Sequence, residues 1–181
     1  LRNGVDAAEQ IGTIIGMKHI LGGVTWISSA IEAPGIIRQY SQFCRIVLGE
    51  LDGSETPRLR DVHKTLNTSG AKIEISTDIR KVLWNKLTFI APVSAVGSLT
   101  RVPIDEFREV PETRRILAAI VAEVAAVAAA QGVQLEADIV EKTLDFIDMA
   151  APGVRASMQR DVESGRPSEL EALVGVIVRL G

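Results

Sequence analysis

The chain has 181 residues, 46% of them hydrophobic and 24% charged, and it carries a formal net charge of −3 at pH 7. This composition is typical of a soluble globular protein and argues against an intrinsically disordered chain. The basic residues are scattered through the sequence, which argues against nucleic acid or an anionic membrane surface as a partner.

The first 77 residues combine helix and strand patterns. Thr56 followed by Pro57 is typical of a helix start, because a threonine side chain can cap the first turn and proline fits the first helical position. The residues LGGV, at positions 21–24, lack the spacing of a phosphate-binding loop and favour a close-packed strand. Helices are predicted at residues 6–15 and 56–70, strands at residues 19–31, 43–51 and 71–77, and a turn at residues 33–35.

From residue 78 onward the strand patterns disappear. Helices are predicted at residues 78–99, 111–131, 136–149, 155–165 and 168–180. The predicted fold class is therefore α/β followed by all-α, with one domain of residues 1–77 and a helical domain of residues 78–181. The sequence does not begin with methionine and ends directly after an apolar helix, so we expect it to be an internal piece of a longer chain.

The sequence offers little metal or redox chemistry. The one cysteine, Cys44, cannot form an internal disulfide, so we expect a reducing compartment, with the cytoplasm as the default location. No metal cluster is legible, and the two histidines, His19 and His63, have no assigned role. The most apolar run, residues 116–130, is too short to span a membrane and contains Glu123, so we interpret it as a helix buried in protein.

Lys86 is the first candidate functional residue. On a helical wheel it lies at the centre of an apolar stripe that includes Val82, Ile90 and Val93. A buried ammonium group loses hydration, which lowers its pKa or requires a carboxylate partner, and either outcome makes it a candidate proton donor. The alternative is that the lysine stem crosses apolar surface while its head reaches water. The helix pattern alone leaves both open.

A second candidate, Glu169, lies near the start of the last predicted helix. Ser168 and Glu171 have the S-x-x-E spacing of a capping box, which gives Glu171 a structural role. Glu169 has no such role, and its neighbours one and two turns later, Leu173 and Val176, are apolar. From this segment alone, the simpler interpretation of Glu169 is a solvated carboxylate that complements the helix dipole.

Three segments of the sequence, taken together, carry a family resemblance: NGV at residues 3–5, DIRKVLWNKL at residues 78–87 and SMQRDVESGRPSEL at residues 157–170. They resemble the ketopantoate reductase (2-dehydropantoate 2-reductase) family. The resemblance implies a dinucleotide-binding Rossmann domain, of which this chain would contain the C-terminal part, followed by an all-helical domain. It also implies NADPH as the cofactor, a small 2-oxo acid as the substrate, and a Gly-rich phosphate-binding turn upstream of this sequence.

The resemblance also assigns roles to individual side chains. Lys86 matches the family's catalytic lysine, and Glu169 matches its active-site glutamate. Asn3 matches an asparagine that lies near the nicotinamide and the substrate. Ser157 matches a serine that holds the substrate carboxylate, and Ser94 occupies a substrate-binding position. Because the phosphate-binding turn is not among these residues, we expect the 181-residue piece alone to be inactive.

Three residues depart from the family pattern. Ile90 and Ser94 stand where asparagines are typical, and Val154 stands where a polar residue is frequent. The predicted reaction is reduction of 2-dehydropantoate to pantoate, but the lost polar contacts leave open a related hydroxy-acid dehydrogenase with a more apolar substrate. A non-catalytic alternative is a helical dimerisation module, with the alanine-rich run at residues 116–130 in the interface of a homodimer.

Overall fold

The computed structural model describes residues 2–41 and 44–181. The chain forms two compact units: an α/β unit, which consists of Arg2 and Ala8–Val82, and a helical unit, which consists of Asn3–Ala7 and Leu83–Gly181. The predicted fold class, an α/β part followed by an all-helical part, is confirmed. The short segment Asn3–Ala7 belongs to the helical unit although nearly all of the α/β unit follows it in the sequence.

Within residues 2–41 and 44–82, the α/β unit contains two small sheets. In chain order the elements are α1 (Ala7–Ile15), β1 (Gly22–Trp26), β2 (Ser29–Ala33), β3 (Ile36–Gln39), β4 (Arg45–Gly49), α2 (Pro57–Leu66) and β5 (Lys72–Ile75). One sheet has the order β1-β4-β5, in which β1 runs antiparallel to β4, and β4 runs parallel to β5. Strands β2 and β3 form a separate antiparallel pair. Because β4 and β5 are parallel and α2 connects them, they form a βαβ unit.

Two local predictions for the α/β unit are confirmed. The Thr56 hydroxyl accepts a hydrogen bond from the Leu59 amide over 3.2 Å, and Pro57 is the first residue of α2. Gly22 of β1 faces Gly49 of β4, and the Ile79 side chain packs against both glycines. A Cβ atom at Gly22 would lie 2.7 Å from Ile79 Cγ1, so this close packing requires glycine.

Two other local predictions are wrong. The single strand expected at residues 19–31 is divided between β1 and β2, which lie in different sheets, and Met17–His19 is a 3₁₀ turn. Strand β3 was not predicted, because all of its residues are exposed and it lacks the alternation of buried and exposed positions. The strand expected at residues 43–51 is β4, although its first residue, Phe43, lies outside the described residues.

The helical unit is organised around one long helix, α3 (Ile79–Thr100), whose first residues belong to the α/β unit. The elements that follow are α4 (Ile104–Phe107), α5 (Pro111–Ala130), α6 (Ile139–Asp148), α7 (Ser157–Glu163), a π-helical turn (Glu171–Gly175) and α8 (Val176–Leu180). Helix α3 is long and apolar enough to span a membrane by length and composition. Half of its apolar window is nevertheless buried inside the protein, and side chains such as Trp84 and Leu87 pack in an apolar cluster, as expected for a core helix.

Two apolar clusters fix the position of α3. Trp84, Leu87 and Ala91 are buried in the first cluster together with residues of α5, α7, the π-helical turn and α8. Val93 and Val96, further along the helix, are buried in the second cluster with residues of α4, α5 and α6. Side chains on α3 therefore have well-defined positions, because tight packing restricts both the rotation and the translation of the helix.

Candidate active site

Lys86 lies on α3 between its buried apolar neighbours, and its side chain is half-buried. The Nζ atom donates a hydrogen bond of 2.8 Å to Oδ1 of Asn3. Burial lowers the pKa of the Lys86 ammonium below its ordinary value, because the charged form loses hydration, and the nearby Glu169 carboxylate partly opposes that shift. The structure thus places a partly desolvated ammonium group near a carboxylate. Of the two alternatives left open by the sequence, this environment matches the desolvated and paired ammonium, and not a lysine head that extends into water.

Glu169 lies at the N-terminus of the last helical segment. Its backbone carbonyl accepts hydrogen bonds of 3.0 Å from the amides of Ala172 and Leu173. Its side-chain Oε2 accepts a hydrogen bond of 2.8 Å from Nδ2 of Asn3. The carboxylate is therefore half-buried and bonded, and it is not the solvated carboxylate that the segment alone favoured.

The Asn3 side chain links these two groups. An ammonium group can only donate hydrogen bonds and a carboxylate can only accept them, so Lys86 must face the amide oxygen and Glu169 the amide nitrogen. The two bonds, each 2.8 Å long, have this arrangement. They leave one N–H and one oxygen lone pair of the Asn3 amide for another partner. We refer to Lys86, Asn3 and Glu169 together as the polar triad.

Gly4 allows the chain at Asn3 to approach the last helical segment closely. It has a φ of +96°, and a Cβ atom there would lie 2.7 Å from the carbonyl oxygen of Ala172. Both the left-handed conformation and the short distance require glycine. The NG dipeptide thus supplies the amide of the triad and the residue that lets its backbone fit.

The remaining predicted site residues are not hydrogen-bonded to the triad within the part of the chain that the structure describes. Ser94 is fully buried, and its hydroxyl has no hydrogen-bond partner there. Ser157 is exposed at the first position of α7. Their roles in substrate binding stay predictions. Ile90, one turn after Lys86, is half-buried and packs against the first apolar cluster, whereas Val154 is exposed.

The predicted capping box is wrong, and its failure reveals two residues that sequence reasoning missed. The helix begins at Leu170, so Ser168 precedes it by two positions, and Glu171 accepts a hydrogen bond of 2.9 Å from Nη1 of Arg179. Nη2 of Arg179 donates a hydrogen bond of 3.0 Å to Oδ2 of Asp6. No sequence pattern could show this pairing, because the two partners lie at opposite ends of the chain.

Metal chemistry has no visible support in the described ranges, 2–41 and 44–181. They contain no group of three or more histidine, cysteine, aspartate and glutamate side chains that could hold a metal ion.

Comparison with known proteins identifies the family. Residues 78–181 match the family described as ketopantoate reductase PanE/ApbA, C terminal. The chain belongs to the ketopantoate reductase family. Residues 1–53 match the companion description, ketopantoate reductase PanE/ApbA. Together the two matches confirm the resemblance recognised in the sequence, with a Rossmann-type α/β part and a helical part.

Individual relatives agree with this assignment. A 2-dehydropantoate 2-reductase of Mesorhizobium japonicum is 30% identical over 190 residues, which cover 99% of this chain and 54% of the relative. The crystal structure of a 2-dehydropantoate 2-reductase from Geobacter metallireducens superposes with a TM-score of 0.90 at 28% identity, covering 99% of this chain and 60% of that one. The chain spans little more than half the length of the curated relatives it matches.

The same fold also occurs in an enzyme with another name. The structure of D-mandelate dehydrogenase with NADH superposes with a TM-score of 0.88, covering 100% of this chain and 61% of that one. The sequence identity is 22%, so this likeness shows the fold alone. Relatives and structural neighbours of this chain are therefore named as oxidoreductases of more than one kind.

Proposed function

We propose that the protein containing this chain catalyses the NADPH-dependent reduction of a 2-oxo acid, with 2-dehydropantoate as the substrate and pantoate as the product. This reaction would place it in pantothenate and coenzyme A biosynthesis, in the cytoplasm. The observation that supports the proposal most strongly is the polar triad, in which Lys86 and Glu169 bind opposite ends of the Asn3 amide. The family match supplies the reaction class.

The triad has the groups that reduction of a ketone requires. Negative charge develops on the carbonyl oxygen as the carbonyl carbon is reduced, and an ammonium group within hydrogen-bond reach stabilises that charge and then supplies a proton. Lys86 is suited to this role, because burial lowers its pKa and makes proton release easier. The Glu169 carboxylate partly opposes that shift in the pKa of Lys86 and so favours the protonated form. Asn3 holds both groups in place.

The residues of this chain fit a nicotinamide cofactor at the triad. When bound, a reduced nicotinamide supplies the hydride for the carbonyl carbon. We assign Asn3 to the side of the site that faces this ring, because its amide keeps one free N–H and one free lone pair after binding Lys86 and Glu169. NADPH is proposed over NADH on the strength of the family resemblance.

A second candidate function is reduction of a more apolar 2-oxo acid. Ile90 lies one turn after Lys86 on the same face of α3, so an apolar side chain adjoins the proposed proton donor. The neighbour named D-mandelate dehydrogenase shares the fold and was described with NADH. A site built to bind a hydroxyl group rejects substrates that lack it, so the loss of a polar contact favours less polar substrates.

One experiment tests both candidates. The full-length protein is supplied with NADPH or NADH and with 2-dehydropantoate, 2-oxoisovalerate or phenylglyoxylate, and oxidation of the cofactor is followed by absorbance. A kcat/KM that is highest for 2-dehydropantoate with NADPH is the expected result. Preference for phenylglyoxylate would replace the pantoate assignment with the second function. No turnover of any 2-oxo acid would overturn both.

We also propose a homodimer. Helix α5 exposes several alanines, which allow another helix to approach closely: Ala119, Ala122, Ala126 and Ala129. The alternative of a purely structural dimerisation module is disfavoured, because such a module does not need a half-buried lysine held by an amide. Sedimentation of the wild type and of Ala122→Glu tests the interface, and a monomeric wild type would contradict it.

A further inference from the structure

The segment Asn3–Ala7 is held on the helical unit by three consecutive residues. Gly4 lies against the carbonyl of Ala172, as described above. Val5 packs against the first apolar cluster. Asp6 accepts the hydrogen bond from Arg179, and only 15% of its side chain is exposed, so the ion pair is largely shielded from water on the aspartate side. These contacts begin immediately after Asn3, the residue that joins the triad.

Arg179 connects this segment to the helix that carries Glu169. One of its guanidinium nitrogens binds the Asp6 carboxylate, and the other binds the Glu171 carboxylate at 2.9 Å. Nη2 also donates to the backbone carbonyl of Glu171 over 3.3 Å. The planar guanidinium group suits such a bridge, because its donors point in fixed directions.

The π-helical turn allows Arg179 to reach both partners. Glu171 opens the turn Glu171–Gly175, in which each residue rotates the chain by less than in an α-helix because the hydrogen bonds close wider rings. In a regular α-helix, residues eight apart lie about 80° from each other around the axis. The smaller rotation per residue in the π-helical turn reduces this angle and so brings Arg179 closer to Glu171. Gly175 also leaves room for the pair, since a Cβ atom there would contact the Glu171 carboxylate and lie 3.2 Å from Nη1 of Arg179.

We propose that Arg179 is a positioning residue for the reductase site: by binding Asp6 and Glu171 it fixes Asn3–Ala7 to the last helix and so holds the Asn3 amide between Lys86 and Glu169. The role is indirect, because Arg179 acts through the segment and not on the substrate. The inference rests on the proposed function for its effect on catalysis, but its structural part does not depend on any reaction.

The structural part is tested by NMR of the full-length protein without substrate. The side-chain NH₂ signals of Asn3, assigned by their absence in Asn3→Ala, should be displaced from the positions of solvated asparagine amides in the wild type. In Arg179→Met they should move to those positions. Arg115→Met is the matched control, because Arg115 forms an exposed ion pair with Glu112 on α5. Unchanged Asn3 signals in Arg179→Met would overturn the proposal.

The catalytic part is tested with a double-mutant cycle. Arg179→Met should lower kcat by about tenfold and change KM for NADPH little, whereas in an Asn3→Ala background the same substitution should have less than about a twofold effect, because coupled residues are not additive. Arg179→Lys should restore part of the activity. An equal loss in both backgrounds would mean that Arg179 does not act through Asn3, and would overturn the proposal.

Two further outcomes are distinguished from a failure of this proposal: a variant that does not fold, and a wild-type protein that lacks the proposed activity. If Arg179→Met does not fold, Asp6→Asn replaces it, because that variant removes charge from the buried contact and leaves the exposed Glu171 pair. Loss of the displaced Asn3 signals in Asp6→Asn supports the proposal, and their persistence overturns it. If the wild type reduces no 2-oxo acid, the proposed function fails, while the NMR comparison still decides the structural role.

Discussion

Lys86 and Glu169 bind the two ends of one amide, that of Asn3, with hydrogen bonds of 2.8 Å on each side. The amide keeps an ammonium and a carboxylate near each other in a fixed geometry. In the proposed reaction the proton donor must be positioned, and a bridge of this kind positions it better than two charges on flexible stems would.

Removing the Lys86 ammonium group should lower the rate of the chemical step. We expect Lys86→Ala to lower kcat by about 10²-fold or more, the range for losing a positioned general acid. The measurement is steady-state NADPH oxidation by the full-length protein. Lys142→Ala serves as the control, because Lys142 forms an exposed ion pair with Asp138. A kcat near that of the wild type would remove Lys86 from the mechanism.

The pH dependence of the reaction should report the pKa of Lys86. Only the protonated ammonium can act as the acid, so kcat/KM should fall as pH rises through that pKa, and burial places the fall below the ordinary lysine range. Glu169→Gln removes the charge that raises this pKa, so the fall should move to lower pH. A glutamine oxygen can still accept from Asn3. Coinciding profiles for the two proteins would contradict this electrostatic role of Glu169.

Gly4→Ala should impair both folding and activity. The new methyl group would face the Ala172 carbonyl, and its residue would have to adopt a positive φ, so we expect a loss of about 1–3 kcal/mol in the free energy of unfolding. Gly153→Ala is a matched control, because Gly153 has a φ of +78° with no atom within 4 Å of the added Cβ. Thermal melts should show a smaller loss for the control; equal losses would argue against the close approach.

Arg108 should stabilise the end of α6. Its Nη1 atom donates to the backbone carbonyls of Ile147, Asp148 and Ala150 over 2.8–3.0 Å, and only 15% of the side chain is exposed. Arg108→Ala leaves these acceptors without a charged donor, so we expect about 2–3 kcal/mol of destabilisation in denaturant titrations. Arg115→Ala should change the midpoint little. A similar midpoint for both variants would show that the three bonds contribute nothing measurable.

The fold could be predicted from the sequence wherever the signal is local. The cap at Thr56 and the glycines of β1 depend on near neighbours or on backbone geometry, and both were anticipated. Strand β3 has no buried face, so no periodic pattern marks it. The π-helical turn was also missed, because its residues have the composition of an ordinary helix.

The site was less predictable, because its geometry depends on residues far apart in sequence. The helix pattern singles out Lys86 in an apolar stripe, but it does not distinguish Glu169 from a helix-start carboxylate. Only the family resemblance pointed to Glu169, which the structure places beside Asn3. The pairing of Asp6 with Arg179 carried no signal, since the two residues lie 173 positions apart in the sequence. Long-range pairing therefore decided what local patterns left open.

The placement of Asn3–Ala7 within the helical unit has a consequence for recombination between relatives. A chimera joined at residue 78 would take Lys86, Glu169 and Arg179 from one parent and Asn3 and Asp6 from the other. Its N-terminal parent must therefore contribute two groups: the Asn3 amide, which binds Lys86 and Glu169, and the Asp6 carboxylate, which binds Arg179. A crossover at this domain border would therefore divide the hydrogen-bonded polar triad between two parent sequences.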